Sequence, residues 1–486
     1  MVVALIGITN GNIGAAIVPP LAIALFFAVI YLPLRHTVMA FWTIVLLVNN
    51  RSQEPMCNLW KGPLTLFADI FYKNFGQLTG VSMLKFNVID VALTFFLLVM
   101  FMRTILHNNI DRHLTYPAAR ALKIAALVSA GAMLFSHFYG AVTGGSIKEA
   151  YWQTKALFWM PFILMICMRA FKTERDIRRL GVLLAVVCVA HVLEGSYFYF
   201  AYVRPQGLKL QYIMTHFDTV WFVLLEAILI SSVVESLKRR ALVNLLLVGG
   251  FVMWGLIIND RRVAFVSLAI SIMIMFAFVQ HRIRRWLVRA VLVTLPITGA
   301  YFIIGMHSDA SIFEPVHSLT SVADDTDASN WCRNVENFDL IKTLHKNPFI
   351  GSGWGHPYDE IIISVQYKDF AYLHRPHNSM LALLAFNGGI GFYLIWIYLP
   401  VGAFLATRTY ITGTKPLHRT TAIAALSVIP IYMVQCYGDL GIEDIDAAIV
   451  LSTAFACVAN LVMQTGGLKE PGQRTLQDRH PTQPRV

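Results

Sequence analysis

Apolar runs of about 17–22 residues recur from one end of this chain to the other, each long enough to cross roughly 30 Å of hydrocarbon as a helix. That recurrence leaves little choice of fold. A backbone N–H or C=O left bare in lipid costs several kcal/mol, so a spanning segment must be a helix or part of a closed barrel. The strict alternation of barrel strands is absent, which leaves helices. Composition agrees: 57% of the 486 residues are hydrophobic and 14% charged, with a mean hydropathy of +0.60. A soluble domain carries about a quarter charged residues. The expected fold is all-α, a polytopic membrane protein of about 12–13 transmembrane helices.

The spans read as residues 14–34, 37–50, 86–103, 119–139, 152–170, 179–201, 219–235, 242–258, 263–280, 286–306, 376–400, 418–437 and 445–464. Asn10-Gly11-Asn12 and Pro19-Pro20 interrupt residues 2–34, which read either as one kinked helix or as a short hairpin. The start, Met1 to Leu5, lacks the basic stretch of a cleavable signal, so the first helix is expected to stay as an anchor.

Lys and Arg mark every second short loop: Arg35, Arg103 with Arg112 and Arg120, Lys172 to Arg179, Lys238-Arg239-Arg240, and Arg282, Arg284 and Arg285. That face is expected to be cytoplasmic. The Pro-, Gln- and Arg-rich tail, 465–486, falls on the same side and reads as a disordered end. The long polar loop 307–375, Arg204 and Arg261-Arg262 then share the outer face. The net charge of +11 is in part this topology signal and calls for no nucleic acid. Four stretches follow: helices in 1–260, a central region 261–400 that contains the outer loop, helices again in 401–464, and the tail.

Cys167, Cys188 and Cys457 fall in apolar spans, where a thiol is a small core residue. Cys57 and Cys332 both fall in outer loops and could pair if that side is oxidising. The 307–375 loop has an architecture of its own. Asp324 to Ser329 supply cap-forming residues before Trp331, Val335, Phe338, Ile341 and Leu344, whose spacing predicts an amphipathic helix. Asn347-Pro348 should end it, because the residue before proline is pushed out of helical geometry. Gly351-Ser352-Gly353-Trp354-Gly355 then reads as a turn that brings backbone close to another segment. The loop is expected to be a folded cap. It runs through His374-Arg375-Pro376-His377-Asn378-Ser379 into an apolar helix, and a histidine and an arginine at such a mouth are costly unless they work.

Three stretches occur in order here: Arg262-Val-Ala-Phe-Val-Ser-Leu268 opening a helix, Asn347-Pro-Phe-Ile-Gly-Ser-Gly353 after the loop helix, and His377-Asn378-Ser379 opening the next. Together they resemble the signature of the O-antigen ligase and polymerase superfamily over roughly residues 262–400. Members commonly have Ser before the helix-opening arginine and Gly after it; Arg261 and Val263 stand there, which leaves Arg261 and Arg262 both open as the functional one. A carboxylate frequently precedes the Gly-x-x-Gly of the last motif, and here the residue is Phe386, which argues against a catalytic acid at that position.

The resemblance implies a glycosyltransferase-C-like membrane enzyme of surface-polysaccharide biosynthesis, in the bacterial inner membrane with the 307–375 loop on the periplasmic side. Its donor would be a glycan on a polyprenyl pyrophosphate such as undecaprenyl pyrophosphate, its acceptor a glycan or a lipid A core, and polysaccharide assembly proteins its neighbours. No cofactor and no metal is expected, since arginines bind pyrophosphate oxygens bidentately and stay charged. His377 would be the base that takes the acceptor's proton and Arg262 the catalytic arginine. Arg204, Arg261 and Arg333 would bind pyrophosphate, with His374 and Arg375 as auxiliaries and Asn378 and Ser379 as helix caps. For Arg204 and Arg333 the plainer reading is an interfacial side chain reaching for water.

Glu194 and Glu226 would each cost about 2.5–3.5 kcal/mol in mid-helix, so both should face the protein interior. Asp260 reads as a partner that orients Arg261, and Asp439, Glu443, Asp444 and Asp446 as a solvated acidic turn. Loop 51–85 holds Trp60, Phe67, Phe71, Tyr72 and Phe75, aromatics expected in the headgroup belt. The competing class is an anion or small-solute transporter, which would place its charges near the bilayer midplane between broken helices. Between ligase and polymerase, the long aromatic loop favours an exopolysaccharide polymerase.

Overall fold

The computed structural model describes residues 30–48, 62–64, 68–79, 85–105, 118–208, 212–259, 261–279, 281–308, 328–362, 373–438 and 440–468, with a few isolated positions besides. Its labelled helices are α1 (Leu34–Leu47), α2 (Val88–Ile105), α3 (Arg120–Val142), α4 (Ile147–Ala170), α5 (Glu174–Val203), α6 (His216–Ser236), α7 (Arg239–Asn259) and α8 (Arg262–Phe278). They continue with α9 (His281–Gly305), α10 (Ala328–Lys346), α11 (Ser379–Ile395), α12 (Tyr398–Thr412), α13 (Pro416–Gly438) and α14 (Ile445–Gln464). No strand occurs among the described residues. Among the described residues, eight spans are long and apolar enough to cross a membrane: α2, α3, α5, α6, α7, α11 with α12, α13 and α14. The chain is a multi-pass, all-helical protein.

Thirteen spans were expected, and the difference has physical causes. α1 and α8 are apolar but short, at 14 and 17 residues, and only Leu295–Gly305 of α9 is apolar throughout. α4 carries Gln153 and Lys155 inside the protein, with the Lys155 ammonium 2.7 Å from Asp90. The span expected over 376–400 runs on to Thr412 and breaks at Trp396-Ile397. Pro400 explains the break: its ring would strike the carbonyl of Trp396 in a continuous helix, whereas in the first turn of α12 its missing N–H goes unnoticed. Most of the first expected span before residue 30, loop residues 363–372 and the tail from residue 469 lie outside the described residues, as do Cys57, Arg112, Asp260, Asp324 to Asp327 and Asp439.

α14 is the central post, with 89% of its apolar window buried. Its polar side chains grip the carbonyls of α4: Ser452 donates to Met160, Asn460 to Met168 and Phe171, and Gln464 to Lys172. Side-chain contacts sort the helix ends into two sets. At one end, Glu174 meets Lys415 and His418, Arg408 reaches the carbonyl of Gly467, and Tyr410 and Arg419 meet Glu235. Arg103 also lies in the protein, donating to the carbonyls of Ile30 and Leu32. The other end carries the polar loop and is called the loop end below.

Candidate active site

The loop is fastened to the bundle through a break in α11. Gly388 sits inside that helix at φ 61° and ψ −176°, in the left-handed half of conformational space that glycine tolerates. The break frees backbone groups on both sides, and loop residues take them. Ser352 and Gly353 donate to the carbonyls of Ala385 and Phe386, while Gly389 and Ile390 donate to those of Pro348 and Phe349. Packing there is backbone on backbone: a Cβ added at Gly388 would lie 2.2 Å from the Phe349 carbonyl carbon. Gly353, at φ 85°, lies equally tight against Gly140 of α3, where an added Cβ would come within 2.5 Å of the Gly140 Cα. The close approach expected of the glycine turn is therefore real, and its partners are α3 and α11. Trp354 is buried behind it against Phe386.

α10 spans Ala328–Lys346, as the spacing and Asn347-Pro348 predicted, but its buried face differs from the expected one. Trp331, Phe338 and Ile341 are exposed, whereas Cys332, Val335, Glu336, Asp339, Leu340 and Thr343 are buried. The carboxylates explain the rotation, because they serve backbone donors beneath the helix. Asp339 accepts from Ile361 and Ile362. Burial pushes its carboxyl up from the ordinary range, against the pull of those two donors. Glu336 accepts from the backbone N–H groups of His377, at 2.7 Å, and Asn378. Its other oxygen lies 3.0 Å from His377 Nδ1.

That carboxylate decides what the His377 ring can do. With Nδ1–H donated to Glu336, the lone pair belongs to Nε2, and Glu336 stabilises the imidazolium that forms when Nε2 takes a proton. The His377 side chain is 21% exposed and that of Glu336 8%, so the pair is sheltered yet reachable. Asn378 caps α11 as expected, accepting from Leu381 and donating to Asn337. The neighbours of His377 hold the mouth in place. Arg375 forms a two-pronged pair with Glu443, and the buried His374 gives its carbonyl to Gln153, whose amide oxygen accepts from Gly355.

The acidic turn expected to be solvated is instead built in. Asp444 and Asp446 are buried, and the Tyr72 hydroxyl lies 2.9 and 3.0 Å from the two Asp446 oxygens and 3.1 Å from the carbonyl of Val45. Burial pushes the Tyr72 phenol well above its ordinary range, with Asp446 acting in the same direction. Phe71 is buried too, and the half-buried Phe75 packs edge-on against the exposed Phe86. Trp60 and Phe67 lie outside the described residues.

The arginines have different surroundings. Arg261 caps α8 and lies flat on Tyr212, its guanidinium carbon 3.7 Å from the ring centroid. Arg262 opens α8, as its motif predicted. The next residue, Val263, abuts Gly438 at the end of α13, where an added Cβ would be 3.1 Å from Val263 Cγ2. Gly438 leads into the turn whose Glu443 holds Arg375, so the start of α8 and the mouth of α11 belong to one end of the bundle. Arg204 is exposed, 6.0 Å over Phe200, and Arg333 is exposed on α10. The structure thus gathers His374, Arg375 and His377 directly, brings the Arg261-Arg262 helix start to the same end, and leaves Arg204 and Arg333 at the surface.

Glu336, Gln153 and Tyr212 escaped the sequence reading, and Glu443 was read only as part of a solvated acidic turn, not as the partner of Arg375. Glu336 lies 41 residues before His377 and sat on what looked like the polar face of an amphipathic helix, so no local signal marked it. Glu194 and Glu226 face the interior as expected: Glu194 accepts from the backbone of Leu64. No family model matches this chain. None of the curated proteins matches it either.

Proposed function

We propose that this protein is a membrane glycosyltransferase of glycosyltransferase-C-like fold. It would move a polyprenyl-pyrophosphate-linked glycan onto an acceptor hydroxyl at the loop end of the bundle. The observation that carries the reading is the Glu336–His377 pair: a sheltered imidazole, oriented by a carboxylate, on a helix mouth already singled out by its resemblance to the O-antigen ligase and polymerase superfamily. His377 Nε2 takes the proton of the acceptor hydroxyl as its oxygen attacks the anomeric carbon. The bond from that carbon to the phosphate oxygen breaks, and the pyrophosphate leaves with the bonding pair. Arg262, with Arg261 beside it, neutralises the charge that gathers on the departing oxygens, and electrostatic stabilisation of this kind often contributes most to catalysis.

The active end would face the periplasm of a bacterial inner membrane, where the lipid-linked donor is found. The favoured member is an exopolysaccharide polymerase, with a ligase as the variant of the same chemistry. The test is transfer by purified protein in liposomes that contain a lipid-linked donor. His377→Ala should insert and fold but not turn over; near-native turnover would remove the proposed base. Labelling of an added cysteine at Arg333 by an impermeant reagent in whole cells checks the orientation, and a cytoplasmic result would sink the reading.

A transporter draws on one observation of its own. Glu226 is 2% exposed, and its Oε1 meets no hydrogen-bond donor among the described residues. It faces Gly249 in a π-helical turn of α7, where an added Cβ would be 3.0 Å from Oε2. Such turns are frequent at functional sites. Solute uptake by liposomes that Glu226→Gln abolishes would favour the carrier.

A further inference from the structure

The described surface of the bundle is apolar where its spans face outward, and that apolar surface does not stop at the loop. Phe135, Phe138 and Val142 of α3 are exposed, as are Ile390 and Tyr393 of α11. Phe135 stacks on Tyr139, and the Tyr139 hydroxyl lies at the edge of hydrogen-bond reach of Asn347. Two residues on, Phe349 is 68% exposed, with its carbonyl accepting from Ile390. The exposed apolar surface of α3 and α11 therefore runs on through Phe349 and Ile350 towards the end of α10, where His345 and Lys346 are exposed.

α10 continues it. Trp331, Phe338 and Ile341 are 49%, 40% and 40% exposed on a helix whose other face is buried against the site. In water these three would be the part of the helix turned inward. Here the inward face belongs to Glu336 and Asp339, so the apolar row has no protein partner among the described residues. Cations flank it: Lys342 Nζ sits 5.2 Å over the Phe338 ring, Arg333 is exposed beside it, and Lys346, also exposed, pairs with Asp359 at 2.8 Å. Aromatic and aliphatic residues in a row with lysine and arginine at its margin are the composition of a helix that lies in the membrane interface, cations reaching to lipid phosphates.

We infer that the outer face of α10, with Phe349 and Ile350, is a lipid-contact surface that lies in the headgroup–acyl boundary, so that Glu336 and His377 are held against the membrane from their far side. The inference does not depend on the reaction assigned above, and its test reads no activity. Nitroxide labels placed at Phe338→Cys, Ile341→Cys and Phe349→Cys in the full chain, reconstituted in phosphatidylethanolamine–phosphatidylglycerol liposomes, report collision with oxygen, which concentrates in lipid, or with a water-soluble nickel chelate. The described native thiols Cys167, Cys188, Cys332, Cys436 and Cys457 are buried, and unmodified protein sets the labelling background. Ile390→Cys serves as the lipid-facing control and Asp359→Cys as the aqueous one. All three loop sites are expected to group with Ile390, collisions with oxygen exceeding those with nickel. Grouping with Asp359 would place the face in water and overturn the inference. Exclusion of both reagents would mean that protein covers the face, and would overturn it equally. All three positions are exposed, and circular dichroism of each labelled protein checks that it is folded.

Discussion

Three histidine–carboxylate pairs occur among the described residues, and two of them, His191–Asp218 and His377–Glu336, differ in how deeply they are buried. His191 and Asp218 are 0% exposed, 2.7 Å apart, and His191 Nε2 lies 3.0 Å from the carbonyl of Leu46. A carbonyl can only accept, so Nε2 must carry a hydrogen. The Nδ1–Asp218 contact then holds one proton more, on either partner, and the pair is neutral as a whole. Asp218 is further tied into the capping box of α6 with Thr215. This is a cross-link between α5, α6 and the end of α1. His377 and Glu336 share the chemistry but sit on the rim, on elements that the loop brings together. Complete burial makes one pair structural; partial exposure leaves the other within reach of solvent.

The sharpest way to break this comparison is to remove each ring. His377→Ala should lower turnover by about 10²–10⁴-fold, the usual worth of a positioned base, without loss of folded protein. Arg262→Ala should match it, and Arg262→Lys should fail too, because an ammonium does not reproduce the planar fork. His191→Ala should do the reverse. It strands the Asp218 carboxylate in the core and should destabilise the protein by about 3–5 kcal/mol, read as an earlier thermal transition in detergent. A His191→Ala protein as stable as the parent would show that the core pair is no cross-link.

Glu336→Gln comes next. It keeps an acceptor for the backbone N–H groups but loses the charge that steadies the imidazolium, so kcat should fall about 10- to 150-fold, the equivalent of about 1.5–3 kcal/mol for a hydrogen bond to a charged group. KM should hardly change, and Glu336→Asp should recover part of the rate. A change confined to KM would make Glu336 a substrate contact instead. The smallest effect is expected from Arg204→Ala. This exposed arginine over Phe200 should alter donor affinity by less than about 1 kcal/mol, measured as KM for the lipid-linked donor.

Much of the architecture was legible because lipid forces it. The spans, the helix opening at Arg262, the stop at Asn347-Pro348 and the cap at Asn378 follow from local rules that one stretch of sequence obeys by itself. What escaped were pairings across long separations. Glu336 finds His377, Glu443 finds Arg375 and Tyr72 finds Asp446 across 374 residues. The face of α10 was misjudged for a related reason: hydrophobic spacing predicts the buried side only where the surroundings of the helix are water, and an apolar outer face gave no warning. The solvated acidic turn failed likewise, since its partners lie on other helices.

The interruption of α11 at Gly388 has a consequence for how the protein is made. The carbonyls of Ala385 and Phe386 and the amides of Gly389 and Ile390 are bonded to residues 348–353, which precede them in the chain but belong to the loop. Until that strap arrives, the helix enters the bilayer with four backbone groups exposed, each at several kcal/mol. Insertion of α11 and folding of the loop are thus a single event. A chain whose loop has not yet folded would present a poorly inserted segment to the machinery that judges membrane proteins, so quality control over this region falls on the same contacts that bring Glu336 to His377.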